Sequence, residues 1–325
     1  MNSVLITGGA GFVGSHIARQ LVRRGIPTIL VDPFIQYFSP LEPESAVYQR
    51  YMCERFRGIR DKVTYVRGDT RNKSDMRRII TEHRPTHIIH LAALPIAQIS
   101  NAFTEEAVDN TFIGTVNLLD IVRDMDFVQR FVYTSSSMVY GDFQYTPADE
   151  EHPKDPKDVY GGVKLCGETM TQVYGRRFGI AYTIVRPSAV YGPTDVNRRV
   201  SQIFVENALS GKPLILKGGG ETVLDFTYVS DTAEGFVRAT IEPGGKNEVF
   251  NITYGAGRTL LEFAEILKTM VSDLQIVIEP AEVHSPKRGA LDISKAEGLL
   301  GYKPKYRLED GLKEYVEFVR QYGGM

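Results

Sequence analysis

The segment Val4-Leu5-Ile6-Thr7-Gly8-Gly9-Ala10-Gly11-Phe12-Val13-Gly14 constrains this chain more than any other. A short apolar run meets glycines at Gly8, Gly11 and Gly14, and Phe12, Val13, Ile17, Leu21 and Val22 then recur at helical spacing. That order reads as strand, tight turn, helix. Gly8 permits the turn, Gly11 lets main chain approach a diphosphate at the helix N-terminus, and Gly14 lets helix pack closely on strand. An anion held this way meets amides and the helix dipole, so it needs no basic patch. The next apolar run, Thr28 to Val31, ends in Asp32, eighteen residues beyond Gly14. A carboxylate there accepts from adenosine ribose hydroxyls and repels a 2′-phosphate, which favours NAD over NADP.

Four further runs stop at residues suited to a ligand: Val63 to Val66 before Gly68-Asp69, His87 to Leu91 before Ala92-Ala93, Arg130 to Thr134 before Ser135-Ser136-Ser137, and Ile180 to Val185 before Arg186-Pro187. Short apolar runs alternating with helical patterns imply right-handed βαβ crossovers. The fold class is therefore α/β, a Rossmann-type doubly wound parallel sheet with a smaller C-terminal substrate-binding lobe. The division expected is 1–186 for the NAD-binding domain, with 225–253 returning to it, and 187–224 with 254–325 for the lobe. Pro33 to Arg60 reads as an insertion at the cleft rim, with a helix through Tyr48, Met52 and Phe56; Phe34, Tyr37 and Phe38 are candidates to flank the adenine or close the cleft, with ordinary local packing the alternative.

Composition narrows the class. Lys plus Arg number 38 against 40 Asp plus Glu, a net charge of −2, without the basic surplus of a nucleic-acid or acidic-membrane binder. Two cysteines, Cys53 and Cys166, make neither a disulfide framework nor a zinc site, and no metal is expected. The first apolar run is too short for a signal peptide or membrane span, so a cytoplasmic protein is expected.

Tyr160-Gly-Gly-Val-Lys164 sets a phenol and an ammonium one helical turn apart. A phenol of ordinary pKa near 10 is a poor base at neutral pH, and a neighbouring cation favours its phenolate. A Tyr–Lys pair alone is commonplace. Its place after a strand ending in three serines, about 150 residues beyond the glycine loop, gives it weight. His83, His87, His90, His152 and His284 are scattered, and His90, at the end of a buried strand, reads as structural. The acidic run Asp149-Glu150-Glu151 reads as a solvated loop.

Thr7 to Gly14, His90-Leu-Ala-Ala93, Asn110 with Gly114-Thr115, Tyr133 to Gly141, Tyr160 to Lys164, Arg186-Pro187 with Val190-Tyr-Gly-Pro193, Asp225-Phe-x-Tyr-Val-x-Asp231 and Leu300-Gly-Tyr-Lys-Pro304 together resemble the extended short-chain dehydrogenase/reductase superfamily. Within it the chain resembles the NAD-dependent epimerase/dehydratase family acting on nucleotide-activated sugars. The resemblance implies that Tyr160 is the acid/base, Lys164 its activator and ribose ligand, and Ser136 the hydroxyl on the sugar oxygen, with Ser137 its competitor. It implies cofactor contacts from Gly8, Gly11, Phe12, Val13, Gly14, Asp32, Asp69, Thr70, Leu91, Ala92, Ala93, Asn110, Ser135, Tyr160, Lys164 and Pro187. Substrate contacts fall to Ser136, Ser137, Arg199 and Arg288. The implied partners are a nucleotide-sugar substrate and a second copy, since relatives commonly pair two helices, here around 107–122 and 157–178.

The reaction implied first is oxidation of a sugar hydroxyl to a keto-sugar. Dehydratases of the family usually follow the catalytic hydroxyl residue with an Asp-Glu pair, and decarboxylases usually keep the Glu; here Ser137 and Met138 stand there. Neither exchanges protons at neutral pH, which leaves epimerisation, most often at C4. A keto-releasing oxidoreductase or dehydratase and a non-catalytic NAD-binding protein are the alternatives. Two substrate positions depart from the family: Ala189 replaces an Asn and Leu224 an Arg, both of which touch the diphosphate in many relatives, leaving Arg198, Arg199, Lys217 and Arg288 as candidates to compensate.

Overall fold

The computed structural model describes residues 2–34, 44–94, 97–280 and 287–323. Six strands follow the expected runs: β1 (Val4–Thr7), β2 (Thr28–Asp32), β3 (Thr64–Arg67), β4 (His87–His90), β5 (Arg130–Thr134) and β6 (Tyr182–Pro187). A seventh, Glu248–Ile252, pairs with β6. The sheet order is Glu248–Ile252, β6, β5, β4, β1, β2, β3, and every neighbour is parallel. The chain leaves β1 toward β2 on one side and returns to β4 on the other. Thr7 pairs with His90 across that reversal, the crevice in which a doubly wound sheet holds its ligand.

The strands are near-continuous apolar runs because helices cover both faces. Val4 and Ile6 meet Ile17 and Leu21 of helix α1 (Phe12–Arg23), together with Ala233, Phe236 and Val237 of the helix Val229–Ile241. Leu5, one residue out of phase, meets Met76, Ile79, Leu118 and Ile121 on the opposite face. A second core joins Tyr191, Phe204, Leu214, Leu216, Phe226, Phe263, Leu312 and Tyr315 in the lobe. Its helix Leu260–Met270 opens with a capping box between Thr259 and Glu262.

Segments cross between the two cores. Phe226 and Tyr228 are buried in the lobe, whereas Ala296, Leu300 and Tyr302 are buried against the sheet. Asp225 fastens this crossing: its buried carboxylate accepts from the Thr253 hydroxyl at 3.0 Å and from the amides of Tyr254 (3.1 Å) and Leu291 (3.0 Å). Tyr37, Phe38 and His284 lie outside the described residues. The acidic run is not uniformly solvated: Glu150 is buried, and its carboxylate accepts the Asn251 amide at 2.7 Å. No helix of the described residues is long and apolar enough to cross a membrane.

Candidate active site

The glycine loop closes on β4. Gly8 adopts φ 68°, and a Cβ there would stand 2.9 Å from the Ala92 nitrogen. A Cβ at Gly14 would stand 2.6 Å from the Gly8 carbonyl oxygen, so helix α1 packs against the turn as closely as glycine allows. Gly11 caps α1 without a side-chain bond, and the first turn carries no acid. Its amides and dipole face the cleft together with buried Phe12, half-buried Val13 and the half-exposed run Leu91-Ala92-Ala93.

Asp32 accepts from the amides of Ala10 at 3.1 Å and Phe34 at 2.8 Å, and each oxygen keeps a lone pair for a ribose hydroxyl. Burial raises its pKa, opposed by those two amides. His90 is structural. It bonds the Thr7 hydroxyl at 2.7 Å and the Thr115 hydroxyl at 2.9 Å, and burial lowers its pKa to about 3, which keeps it neutral.

Two of the residues expected to contact the cofactor have protein partners as well. Asp69 receives the Arg71 amide at 2.9 Å and its guanidinium at 2.6 Å, and the Arg71 side chain holds its pKa below the ordinary value. Asn110 lies in a π-helical stretch, Val108–Ile113, with its amide on the Glu106 carbonyl at 3.0 Å. Thr70 is buried beneath Gly114, and Pro187 ends β6 half-buried. Ser135 fits a ligand better, for its buried hydroxyl has no partner among the described residues.

Arg55 escaped sequence reasoning. It is buried on the helix Glu44–Phe56 and donates to the Ala10 carbonyl at 2.9 Å and the Thr194 carbonyl at 2.8 Å, joining the glycine loop to the segment that opens the lobe. Nothing local distinguishes it from a surface arginine.

Tyr160, Lys164 and Ser136 converge at the end of β5. Ser136 caps the 3-10 turn Ser137–Tyr140 by accepting the Met138 amide at 3.2 Å, and its hydroxyl faces the Tyr160 phenol. Asp158 caps the helix Val159–Phe178 through the Gly161 amide at 2.7 Å, which fixes Tyr160 in the first turn and Lys164 in the second. The Lys164 ammonium donates to the Thr134 carbonyl at 2.8 Å and lies 5.8 Å from the centre of the Tyr160 ring.

The electrostatics differ from the sequence expectation. Burial raises the Tyr160 pKa, and the groups that oppose it are Arg199, Ser136 and Arg288 rather than Lys164. Burial lowers Lys164 itself to about 7, countered in part by Glu168 one turn further on. A lysine this deeply desolvated is a weakened cation, so the two arginines carry the field at the phenol.

On the substrate side, Arg199 pairs with buried Asp195 at 2.8 Å, its guanidinium carbon 5.9 Å from the Phe12 ring centre. Arg288 donates to the Ser137 hydroxyl at 3.3 Å and touches the Met138 sulfur. Ala189 holds φ 37°, a left-handed conformation that an Asn tolerates better than an Ala.

A doubly wound sheet whose uncapped glycine loop faces a Ser–Tyr–Lys cluster defines a short-chain dehydrogenase/reductase. The chain belongs to the NAD dependent epimerase/dehydratase family, whose model matches residues 4–253. It is 30% identical to UDP-glucuronate 4-epimerase 1 of Arabidopsis thaliana, over 99% of this chain and 77% of that protein. Its fold matches the UDP-glucose 4-epimerase of Thermotoga maritima, solved with UDP-glucose, at a TM-score of 0.87 and 31% identity over 99% of each chain. The UDP-glucuronic acid 4-epimerase of Bacillus cereus, solved with UDP-glucuronic acid and NAD, also matches at 0.87, with 27% identity over 98% of this chain and 99% of that one.

Proposed function

We propose that this protein inverts C4 of a nucleotide-activated sugar through a transient keto-sugar, with NAD as its resident cofactor. The observation that carries the reading is the convergence of Ser136, Tyr160 and Lys164 beside the glycine loop, while Ser137 and Met138 supply no acid or base for elimination.

The cradle fits the cofactor: the Gly8 to Gly14 turn leaves room only for main chain, α1 presents free amides, and Ser135 keeps an orphaned hydroxyl. Asp32 would hold the adenosine ribose and Lys164 the nicotinamide ribose. NAD, when bound, supplies the acceptor and donor of the C4 hydride. Ser136 orients the C4 oxygen, and the Tyr160 phenolate takes its proton, the more readily for the Arg199 and Arg288 charges. The same phenol returns that proton after the keto-sugar turns over.

Tyr160→Phe tests the reading. C4 inversion, followed by NMR in deuterated and ordinary water, is expected to fall about 10³-fold with the fold unchanged. Wild-type product should carry no deuterium. Unchanged activity in the variant refutes the enzyme, and turnover that requires added NAD points instead to a net oxidoreductase.

Residues 1–186 with 225–253 are read as the NAD-binding unit and 187–224 with 254–325 as the substrate lobe, with short exchanges at 226–228 and 296–302. A homodimer is supported by exposed Phe103, Ile113, Val173 and Phe178 on or beside the two helices expected to pair. Light scattering of the purified chain decides it.

A further inference from the structure

The stretch that leaves β6 for the lobe holds its main chain in unusual shapes. Of the seven non-glycine residues with positive φ among the described residues, three fall here: Ala189 at 37°, Thr194 at 73° and Arg198 at 52°. Thr194 is the most strained of the three by type, because a β-branched side chain crowds its own main chain in that region. It is also buried, and its hydroxyl has no partner among the described residues, so no bond of its own side chain favours the conformation. A residue in such a region persists only where its surroundings over-determine it.

Two side chains supply those surroundings. The peptide planes on either side of a residue fix its φ and ψ, and both planes at Thr194 are gripped: His16 of α1 bonds the Pro193 carbonyl through Nε2 at 3.3 Å, and Arg55 bonds the Thr194 carbonyl through Nη2 at 2.8 Å. Burial lowers the His16 pKa to about 4, so at neutral pH the ring is uncharged and donates its single N–H to that carbonyl. Arg55 puts Nη1 on the Ala10 carbonyl at 2.9 Å, inside the glycine loop. One guanidinium thus braces the cradle and the strap 193–199 together.

From Thr194 the contacts run on toward the phenol. The buried Asp195 carboxylate accepts the Asn197 amide at 3.1 Å and Arg199 Nη1 at 2.8 Å, and the Arg199 guanidinium carbon stands 5.9 Å from the Phe12 ring centre at the head of α1. Burial raises the Tyr160 pKa; Arg199 is the charge that opposes it most, followed by Ser136 and Arg288, while Asp158 acts the other way. We propose that Arg55 is a positioning residue: with His16 it latches the strap in its strained shape, and the strap sets where Arg199 stands against the Tyr160 phenol. Released, Thr194 relaxes, the peptide after it turns, and Asp195 carries Arg199 away. The catalytic meaning of this latch rests on the reading of Tyr160 as the acid/base; the latch itself rests on the contacts alone.

The test reads the phenol directly. In NAD-saturated protein labelled with fluorotyrosine, the fluorine NMR signal of Tyr160, assigned by its loss in Tyr160→Phe, is titrated with pH in wild type, Arg55→Met, Arg199→Gln and the double variant. Arg199→Gln should move the midpoint up, Arg55→Met should move it the same way, and the double variant should go no further than Arg199→Gln alone, because Arg55 acts through Arg199. Arg55→Lys, which keeps the charge but reaches one carbonyl at a time, should fall between wild type and Arg55→Met. His16→Phe, which leaves the Ala10 carbonyl untouched, should give a smaller shift of the same sign, and it carries the same cycle with Arg199→Gln if Arg55→Met does not fold. An unmoved midpoint, or shifts that add in the double variant, overturns the proposal. Thr194→Gly should raise the melting temperature of wild type, since glycine adopts φ 73° without strain, and do nothing in Arg55→Met, where the strap has already relaxed; equal gains in both backgrounds remove the latch. The expected shifts in a protein that inverts no sugar would leave the latch standing and remove the epimerase reading, and inversion without the shifts would do the reverse.

Discussion

Arg186 pairs with Glu168, which acts on Lys164, and Arg288 acts on Tyr160, yet their surroundings could hardly differ more. Arg186 is 2% exposed and makes four hydrogen bonds: Glu168 takes its Nε at 2.8 Å and Nη2 at 2.7 Å, and the Tyr140 hydroxyl (2.9 Å) and Glu150 carbonyl (3.0 Å) share Nη1. Tyr140 passes the network on to Asn251, whose amide group bonds the Ala148 and Asp292 carbonyls. Arg288 has a hydroxyl and a sulfur. A buried charge met by a carboxylate holds β6, the helix behind the lysine and the 148–150 loop in one arrangement. A charge with few protein partners carries a desolvation cost that the fold does not offset. Lys164 belongs with the second kind, having one carbonyl for its ammonium and a pKa lowered to about 7.

The largest effect should come from breaking the Arg186 pairing. Arg186→Leu leaves the Glu168 carboxylate buried and unpaired, and urea unfolding should show a loss of about 3–5 kcal/mol. Adding Glu168→Leu should recover part of it, since Tyr140 and the Glu150 carbonyl still lack their donor. A single-variant loss under about 1 kcal/mol would mean that water reaches the pair and that the contrast with Arg288 is false.

Lys164 gives the next effect, with a sign set by its titration. Folding lowers its pKa from 10.5 to about 7 by burial, so between those values the unfolded chain holds a proton that the folded one has released. Wild-type stability therefore gains from this residue as pH rises from 7 toward 10 and carries a constant penalty below 7. Lys164→Met should be more stable than wild type by about 1–3 kcal/mol at pH 7, with the advantage shrinking toward pH 10. An advantage independent of pH would show the ammonium to be as well satisfied inside as in water.

Arg55 joins the two regions without belonging to either kind, because two carbonyls take its terminal nitrogens, its buried Nε has no partner among the described residues, and no carboxylate bonds it. Arg55→Met frees the Ala10 carbonyl and should weaken NAD binding to the apo protein about tenfold in an equilibrium titration. Unchanged affinity would show that the glycine loop is held by Asp32 alone.

How far the sequence could be read follows the same division. The cofactor cradle was legible because main chain builds it, and main chain of that shape demands glycine at fixed positions beside a strand. Tyr160 and Lys164 were legible as a helical pair, but the charge of Lys164 was not, since it depends on Tyr133 and Thr134 closing over it from β5. Arg55 meets Thr194 across 139 positions and Glu150 meets Asn251 across 101, and no local pattern announces such partners. The acidic run was misread for that reason: three consecutive acids look solvated unless an amide from a distant strand is known to receive the middle one. Asp69 was different, because its partner Arg71 is two residues away and the pairing was open to inspection.

The smallest effect expected is the sharpest probe of the comparison. If Arg288 were a structural charge, its removal would resemble that of Arg186. Its protein partners are a hydroxyl and a thioether, each able to turn to water or to a Gln amide, so no buried anion is left behind. Arg288→Gln should change the unfolding free energy by less than about 0.5 kcal/mol, or raise it slightly as the desolvated cation disappears. The difference from wild type should widen when a bound nucleotide sugar is present, because a ligand that binds the folded form stabilises it in proportion to the logarithm of its affinity. A large loss without ligand and no further loss with it would place Arg288 in the framework and remove the distinction between the two arginines.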